Sequence, residues 1–245
     1  MNKLLNCFYL LLDVFFPSIC FICEQKIVRG HFFCHKCLGD FDNEFSGCDL
    51  CFRKNVSKGK HLCSKCREKT DVERVISPFV YRDQLKRIIH LFKYRGFYFL
   101  APVLAGRMVL LLNHLGFSAE NFDFVTFVPM SGMRLRKRGY NQSQLLAKEI
   151  SSSFGLDCKD VLTVSRVKES QVSLDLKNRL ENPIGCFSLK SDFSQGANIL
   201  LIDDVFTTGT TVFECAKVLK NNRSGKIFIA TLAITKNEDH KKLFS

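Results

Sequence analysis

Eight of the twelve cysteines stand in four pairs, and two residues separate the partners of each pair. The pairs are Cys20 and Cys23, Cys34 and Cys37, Cys48 and Cys51, and Cys63 and Cys66. A Cys-x-x-Cys turn presents two thiolates on one side of a tight knuckle. Two such knuckles complete the tetrahedral four-sulfur shell that zinc prefers in closed structural sites, so the eight thiolates predict about two structural zinc ions per chain.

The spacing does not decide which two pairs of cysteines share a zinc ion. Joining neighbouring pairs gives two successive ribbons, and an interleaved pairing satisfies the same stoichiometry. Iron-sulfur clusters and redox dithiols also use cysteine, but four evenly spaced pairs are more than a dithiol site needs. Because the segment is highly charged and has few long apolar runs, metal ligation must replace the core that it lacks. The isolated cysteines are interpreted as ordinary buried thiols: Cys7, Cys158, Cys186 and Cys215.

A second chemical pattern occupies residues 197–211, with the sequence ANILLIDDVFTTGTT. An apolar run leads into two carboxylates, Asp203 and Asp204, which can accept hydrogen bonds from neighbouring diol hydroxyls. A hydroxyl-rich turn before a helix follows, and its backbone amides can surround a phosphate. This turn comprises Thr207, Thr208, Gly209, Thr210 and Thr211. The pattern predicts a site for a ribose 5-phosphate, where Gly209 lets the backbone approach the anion.

Two other interpretations of this segment compete with a ribose-phosphate site. In a purely structural role, Thr210 caps a helix and the acids are solvated at a strand end. A magnesium-binding strand of an NTPase also ends in two acids, but the sequence contains no GxxxxGK[ST] loop. The ribose-phosphate interpretation is therefore favoured.

The elements that position these residues alternate between strand and helix from about residue 72. Hydrophobic periodicity predicts strands over 72–81, 122–129, 161–167, 197–203 and 226–235. It predicts helices over 83–112, with a break near Gly96, and over 141–153 and 211–222. This order indicates an α/β fold with a mostly parallel sheet, in which ligands bind where strand carboxyl ends meet helix amino ends.

Three parts of the sequence together resemble a known family. The segment 197–211 is similar to the phosphoribosyl-pyrophosphate (PRPP) motif of type I phosphoribosyltransferases. Residues 128–142, VPMSGMRLRKRGYNQ, resemble the VP-loop-RxxRGFNQ block of the ComF family, with Tyr140 where Phe is usual. A further set matches another stretch of that family, with Ser170 for Thr and Cys186 for Ala: Arg166, Ser170, Gln171, Leu174, Arg179, Asn182 and Phe187. The paired-cysteine module completes the likeness.

The resemblance implies a type I phosphoribosyltransferase domain in which different residues bind different parts of PRPP. Asp203 and Asp204 would contact the ribose hydroxyls, and magnesium would be carried on the phosphates of PRPP. The loop after the first core strand would bind pyrophosphate, with cations nearby. Its residues here are Met130, Ser131, Gly132, Arg134 and Arg138. The resemblance identifies neither a catalytic base nor the acceptor substrate, so catalysis stays open.

Three segments are expected along the chain: a short apolar helix over 1–18, a double zinc ribbon over 19–70 and the phosphoribosyltransferase-like domain over 71–240. The first segment is interrupted by Asn6 and Asp13, and it is shorter than the roughly 20 residues of a membrane span. No small-x-small cleavage site of a signal peptide follows it. We therefore expect a cytoplasmic protein without a membrane span, in a reducing compartment where paired cysteines bind metal.

The formal net charge is +12, which suits an anionic partner. A basic cluster falls in the pyrophosphate block: Arg134, Arg136, Lys137 and Arg138. It can neutralise pyrophosphate or a nucleic-acid backbone, so single-stranded DNA is a predicted partner. The ComF family is associated with natural transformation, which implies a DNA-uptake role with DNA-uptake or recombination proteins as further partners. A metabolic phosphoribosyltransferase with an unidentified acceptor is the alternative.

Overall fold

The structure is a computed structural model, and it describes residues 18–20, 23–28, 30–38, 47–52, 56, 60–164 and 185–235. The helix expected over 1–18 lies outside these residues except for Ser18. Most of the second family stretch, from Arg166 to Asn182, also lies outside them. These expectations stay predictions.

The described helices and strands follow the order anticipated from the periodicity. The helices are α1 (His35–Leu38), α2 (Ser64–Glu68), α3 (Asp83–Tyr94), α4 (Ala101–His114), α5 (Gly132–Arg138), α6 (Gln142–Phe154) and α7 (Thr210–Asn221), with 3-10 turns at Tyr98–Leu100 and Ala119–Asn121. The strands are β1 (Arg74–Ile76), β2 (Phe79–Val80), β3 (Phe124–Phe127), β4 (Leu162–Val164), β5 (Phe187–Leu189), β6 (Ile199–Phe206) and β7 (Ile227–Ile234).

The main sheet is parallel and has the order β1-β7-β6-β3, with β2 also paired to β7. The two central strands, β6 and β7, are mostly buried, and they are largely apolar apart from Asp203 and Asp204 in β6. Such near-continuous apolar runs are typical of strands covered on both faces. The predicted α/β class with a mostly parallel sheet is confirmed.

Two details differ from the expected elements. The segment 161–167 contributes the short strand β4, which pairs antiparallel with β5 in a separate two-stranded sheet. The strand expected over 72–81 is divided into β1 and β2, which pair with successive parts of β7. The predicted break near Gly96 is confirmed, since α3 ends at Tyr94 and Gly96 adopts a φ of +73°.

The cysteine module packs directly against the α/β domain. Cys20 and Phe33 belong to a buried cluster that includes residues of α3, α4 and α6. Leu50 and Leu62 belong to a second cluster that includes residues of β6, β7 and α7. Each part of the module therefore shares a buried apolar cluster with the sheet or its helices.

A buried acid also lies at this junction. Asp49 accepts hydrogen bonds from Arg74 Nε at 3.3 Å and from the Val75 backbone N–H at 3.3 Å. Both donors lie on β1, so the carboxylate connects the second half of the cysteine module to the edge of the main sheet. The boundary expected near residue 71 remains a prediction, but the two sides of it are in close contact. None of the described helices is long and apolar enough to cross a membrane.

Candidate functional site

Four cysteines converge on one point in the second half of the cysteine module. The Sγ atoms of Cys48, Cys51, Cys63 and Cys66 all lie within 4.8 Å of one another. The Cys51 and Cys63 sulfurs are 3.7 Å apart. Zn–S bonds of about 2.3 Å in a tetrahedron require sulfurs about 3.8 Å apart, so this cluster fits a four-sulfur zinc site. Burial raises the pKa of Cys66, which favours the neutral thiol unless a bound cation stabilises the thiolate.

The first half of the module repeats this arrangement. The Sγ atoms of Cys20, Cys23 and Cys34 lie within 4.8 Å of one another, and those of Cys23 and Cys34 are 3.6 Å apart. The side chain of Cys37 is outside the described part of the chain. The observed clusters match successive ribbons rather than an interleaved pairing.

Both ribbons use the same local turn. The residue after the second cysteine of the leading pair adopts a left-handed conformation, with φ of +59° at Glu24 and +58° at Phe52. The backbone N–H of Glu24 donates to the Cys20 carbonyl, and that of Phe52 donates to the Cys48 carbonyl, both at 2.9 Å. The module is therefore an internal repeat of one metal-binding unit, each consisting of a tight knuckle followed by a short helix that carries a cysteine.

The predicted ligand residues gather at the carboxyl edge of the main sheet. β3 and β6 are parallel neighbours, so the loop after β3 and the acids at the end of β6 lie at the same edge. Ser131 begins α5, and its Oγ accepts from the Arg134 backbone N–H at 3.5 Å. In the loop, Met130 and Ser131 are half-buried and Gly132 is exposed.

The two carboxylates already have partners within the chain. Asp203 accepts from Ser143 Oγ and from the Asp204 backbone N–H, both at 2.8 Å. Asp204 forms an ion pair with Lys93, whose Nζ lies 2.7 Å from its Oδ1. Burial first, and the adjacent Asp204 second, raise the pKa of Asp203. Burial alone would lower the pKa of Lys93, but the carboxylates of Asp204 and Asp203 raise it.

The hydroxyl-rich turn leads into the amino end of α7. Gly209, the N-cap residue, has no side chain to cap this helix, and the first helical N–H, that of Thr210, donates to Thr208 Oγ1 at 3.4 Å. Thr208 and Thr210 bring their hydroxyl oxygens within 2.8 Å of each other, and Thr207 and Thr208 are exposed. Residues of the turn and Asp203 line a hollow of only about 10 Å³. An anion would therefore lie over the turn, against its hydroxyls and backbone N–H groups and the positive end of the helix dipole.

Gly209 has a different reason to be glycine from the expected one. Its φ is +81°, and a Cβ there would lie 2.4 Å from Cε2 of Phe213 and 2.5 Å from Cζ of Phe206. The glycine is therefore required by the two aromatic rings beneath it and by its backbone conformation. Close approach of an anion is not needed to explain it.

Lys93 and Ser143 lie beside the acids, and the sequence did not reveal either of them. Lys93 lies near the end of α3, far from both motifs in sequence, and a lysine in an amphipathic helix gives no signal of its own. Its position depends on the RGYNQ block: Gln142 donates to the Lys93 carbonyl at 3.3 Å, and the Tyr140 hydroxyl donates to the Phe92 carbonyl. These family-motif residues hold the end of α3 beside the acids.

The basic cluster divides into two kinds of residue. Arg134, Arg136 and Lys137 are exposed on α5. Arg138 instead faces inward, donating to Tyr94 Oη at 3.0 Å and to Gln142 Oε1 at 3.3 Å. Its guanidinium also lies 4.6 Å from the centre of the Tyr94 ring. The structure thus gives Arg138 a role in holding α3.

Comparison with known proteins identifies relatives along most of the chain. No family model matches. DNA utilization protein YhgH of Escherichia coli is 27% identical over 89% of this chain and 98% of its own length. Competence protein F of Haemophilus influenzae is 26% identical over 80% of this chain and 82% of its own. Competence protein ComFC of Bacillus subtilis is 24% identical over 82% of this chain and 78% of its own length. These relatives confirm the resemblance inferred from the motifs.

Solved structures similar to this one include an adenine phosphoribosyltransferase, with a TM-score of 0.39 and 10% identity over 64% of this chain and 80% of the other. A purine phosphoribosyltransferase from Pyrococcus horikoshii has a TM-score of 0.34 and 18% identity over 54% of this chain and 72% of the other.

Proposed function

This chain is a homologue of competence protein F and of DNA utilization protein YhgH, and we propose that it binds PRPP or a related ribose phosphate and handles single-stranded DNA during natural transformation. The observation that carries this proposal is that Asp203 and Asp204 lie close to the Thr-rich turn and the amino end of α7, at one edge of the sheet. This arrangement offers acceptors for a diol and donors for a phosphate, which are the two ends of a ribose 5-phosphate.

In this proposal the ion pair between Asp204 and Lys93 has one role before the ligand binds and another after it. Without ligand, Lys93 neutralises Asp204, so a bare pair of carboxylates is avoided in a poorly hydrated position. When ribose hydroxyls donate to Asp204, this carboxylate interacts with both the ligand and Lys93. The ammonium group of Lys93 then lies close enough to the bound sugar to attract its phosphates.

Two metal roles belong to the proposal. Zinc in the two cysteine clusters would be structural, because cysteine sulfurs occupy all four positions of the described complete cluster. Magnesium would accompany PRPP, since it is bound by phosphate oxygens and carboxylates, and the Asp203 and Asp204 oxygens are of the type it prefers. Paired thiols that ligate metal also support a cytoplasmic, reducing environment.

The role in DNA uptake rests on the relatives and on the +12 charge. In this proposal DNA-uptake or recombination proteins are the protein partners. The metabolic alternative, phosphoribosyl transfer to an unidentified acceptor, is favoured by the retention of both acids and the complete Thr-rich turn. The two functions use the same PRPP site, so binding is the first property to measure.

Calorimetric titration with PRPP and magnesium tests the site. We expect the wild type to bind and Asp204→Asn to bind at least about tenfold more weakly, because a charge-assisted hydrogen bond is replaced by a neutral one. Asp157→Asn is the matched control, since this acid is 80% exposed and its carbonyl accepts from Val125 at the opposite end of β3. Equal binding by all three proteins contradicts the assigned site.

Pyrophosphate release separates the two functions once binding is established. Release in the presence of one candidate acceptor supports the metabolic alternative. PRPP binding without pyrophosphate release in the presence of any acceptor supports a role for PRPP as a bound ligand. The transformation frequency of a strain that carries Asp204→Asn then shows whether DNA uptake depends on the site.

A further inference from the structure

An exposed aromatic surface lies beside the ribose-phosphate site. Tyr94 is 54% exposed, Tyr98 is 61% exposed and Phe99 is 40% exposed. Single exposed apolar side chains are ordinary, but a contiguous group of rings on a protein surface is a typical feature of a binding site. These three residues are close in sequence because α3 ends at Tyr94 and a 3-10 turn begins at Tyr98.

A continuous row of rings, which we call the aromatic track, is formed by Phe32, Phe99, Tyr98 and Tyr140. The Tyr94 ring contacts His90 and Arg138 instead. Phe32, from the first cysteine ribbon, lies 5.0 Å from the centre of the Phe99 ring. Tyr98 lies 6.4 Å from Phe99 and 6.0 Å from Tyr140, in both cases edge to face. The track therefore extends from the metal-binding module to the block that holds the end of α3.

A basic groove lies along α3, and its lining extends to Arg95, three residues before Tyr98 of the aromatic track. Its volume is about 570 Å³, and none of its described lining residues is acidic. Its cationic lining residues are Lys86, Arg87, Lys93 and Arg95, joined by His90. Tyr81 and Tyr94 contribute aromatic rings to the same wall. The groove thus combines positive charge with flat apolar faces.

The groove and the acidic site share residues. Lys93 lines the groove and forms the ion pair with Asp204. Tyr94 lines the groove, and Arg138 of the pyrophosphate block lies over its ring. An occupant of the groove would therefore lie within reach of the same cation that neutralises the ribose-binding acid.

We infer that the aromatic track and the basic groove together bind single-stranded DNA, with bases stacked on Tyr98 and Tyr94 and phosphates beside the cations of α3. This inference rests on the DNA-handling part of the proposed function and assigns a surface to it. Alternating rings and cations are the features that single strands require, because each base offers a face for stacking and each phosphate a charge. A duplex hides its base faces, so it would use only the cations.

The assigned surface differs from the one expected from sequence alone, which centred on the cations of residues 134–138. Of those, Arg138 is engaged with Tyr94 and Gln142. The α3 groove supplies both charge and aromatic faces, whereas the exposed positions of α5 supply charge beside Met133 and Leu135. Stacking therefore distinguishes the two surfaces.

The test compares two oligonucleotides of equal length with the full-length, metal-loaded protein: oligo-dT and an abasic strand with the same sugar-phosphate backbone. Fluorescence anisotropy of labelled strands gives the affinities over a range of salt concentrations. We expect the wild type to prefer oligo-dT by about tenfold or more, since stacking on one aromatic ring contributes on the order of tenfold. Tyr98→Ala should remove most of this preference, and Tyr98→Phe should retain it.

Two further variants separate charge from stacking. Arg95→Gln should weaken binding of both strands equally and reduce the salt slope by about 0.7, the value for one phosphate contact on a single strand. Leu110→Ala is the matched control, because Leu110 is an exposed apolar residue on α4, 53% exposed, that is not part of the aromatic track. It should change neither affinity nor preference.

Each outcome bears on a different claim. Equal affinity of the wild type for oligo-dT and the abasic strand overturns the stacking inference and leaves electrostatic DNA binding intact. A preference that survives Tyr98→Ala and Tyr94→Ala overturns the assigned surface. Tighter binding to RNA of matching sequence overturns DNA as the occupant. Failure of all strands to bind at low salt contradicts the DNA-handling function itself, whereas the PRPP titration is unaffected by any of these results.

Discussion

The adjacent acids of the site differ in how their charge is balanced. Asp204 has the direct ion pair with Lys93, whereas the donors to Asp203 within the described part of the chain are neutral, the Ser143 hydroxyl and a backbone N–H. Burial and the neighbouring Asp204 carboxylate both disfavour the charged form of Asp203, and its hydrogen bonds offset them only in part. The pKa of Asp203 is therefore raised. A carboxylate kept in such a position costs stability, which is expected of groups retained for binding.

Asp203→Asn should stabilise the unliganded protein at neutral pH. The native pKa of Asp203 is raised above its unfolded value of about 4, so the folded state binds its proton more tightly. The stability that this proton provides is present in acid and is lost as pH rises through the native pKa. Asparagine keeps an oxygen for the Ser143 and Asp204 donors without the charge.

Scanning calorimetry at about pH 5 and about pH 8 measures this effect. We expect the melting temperature of Asp203→Asn to exceed that of the wild type by a few degrees at about pH 8, since 1 kcal/mol corresponds to about 2–4 °C in a domain of this size. The difference should shrink toward about pH 5, where Asp203 gains its proton. A variant less stable than the wild type at about pH 8 would show that the charge of Asp203 stabilises the fold.

At the scale of the elements, the junction between β6 and α7 combines the candidate binding turn with a packing constraint. The turn must expose its amides, yet Phe206 before it and Phe213 after it meet edge to face beneath Gly209, with ring centres 5.7 Å apart. The rings fix the angle at which the helix leaves the strand. The glycine is then a consequence of this packing as well as of the turn.

Gly209→Ala should lower the free energy of unfolding by about 2–5 kcal/mol, the sum of a left-handed backbone at a non-glycine residue and an overpacked ring contact. Gly139→Ala is a matched control, because Gly139 has a φ of +82° but no described atom lies within 4 Å of the position that a Cβ would take there. Urea denaturation of both variants without ligand isolates the packing contribution. Equal losses in the two variants would mean that the Phe rings move aside freely.

The elements themselves were largely predictable, for identifiable physical reasons. β6 and β7 are long apolar runs, and α6 and α7 show clear helical periodicity between turn residues. β4 was recognisable as a strand, but its partner β5 has only half-buried residues and gave no pattern. Pairing of β4 with β5 depends on contacts distant in sequence, which periodicity does not contain.

The candidate site was predictable where one segment carries all its chemistry. The acids and the Thr-rich turn are contiguous, so their grouping followed from the sequence. Lys93 and Ser143 reach Asp204 and Asp203 from α3 and α6, and only the fold brings them together. The packing role of Gly209 was not visible in the sequence for the same reason, since one of the rings that exclude a Cβ lies a full helical turn away along α7.

At the scale of the whole molecule, the two cysteine ribbons are built into the core of the α/β domain. Cys20 and Phe33 pack with α3, α4 and α6, while Leu50 and Leu62 pack with β6, β7 and α7. The ribbons also carry one end of the aromatic track through Phe32. Metal binding by these clusters would therefore be coupled to the packing of the domain and to its surface.

This coupling changes what loss of metal should do. An independent module would unfold alone when it loses its zinc, leaving the sheet unaffected. Because the complete cluster of Cys48, Cys51, Cys63 and Cys66 shares buried apolar contacts with the sheet, we expect Cys63→Ser to lower the melting temperature of the sheet as well. The expected loss is several degrees, since the free energy of metal binding stabilises every element that packs on the folded ribbon.

Metal analysis and hydrogen exchange of the same samples give the measurement. The wild type should contain about two zinc ions per chain, and Cys63→Ser about one. Amides of β7, at the centre of the sheet, should exchange faster in Cys63→Ser than in the wild type, whereas Cys158→Ser, a half-buried cysteine outside both clusters, should leave them unchanged. Faster exchange confined to the ribbon of Cys48 to Cys66 would show that the module unfolds independently of the sheet. Iron in place of zinc, or no metal in freshly purified protein, would contradict the assignment of the clusters as structural zinc sites.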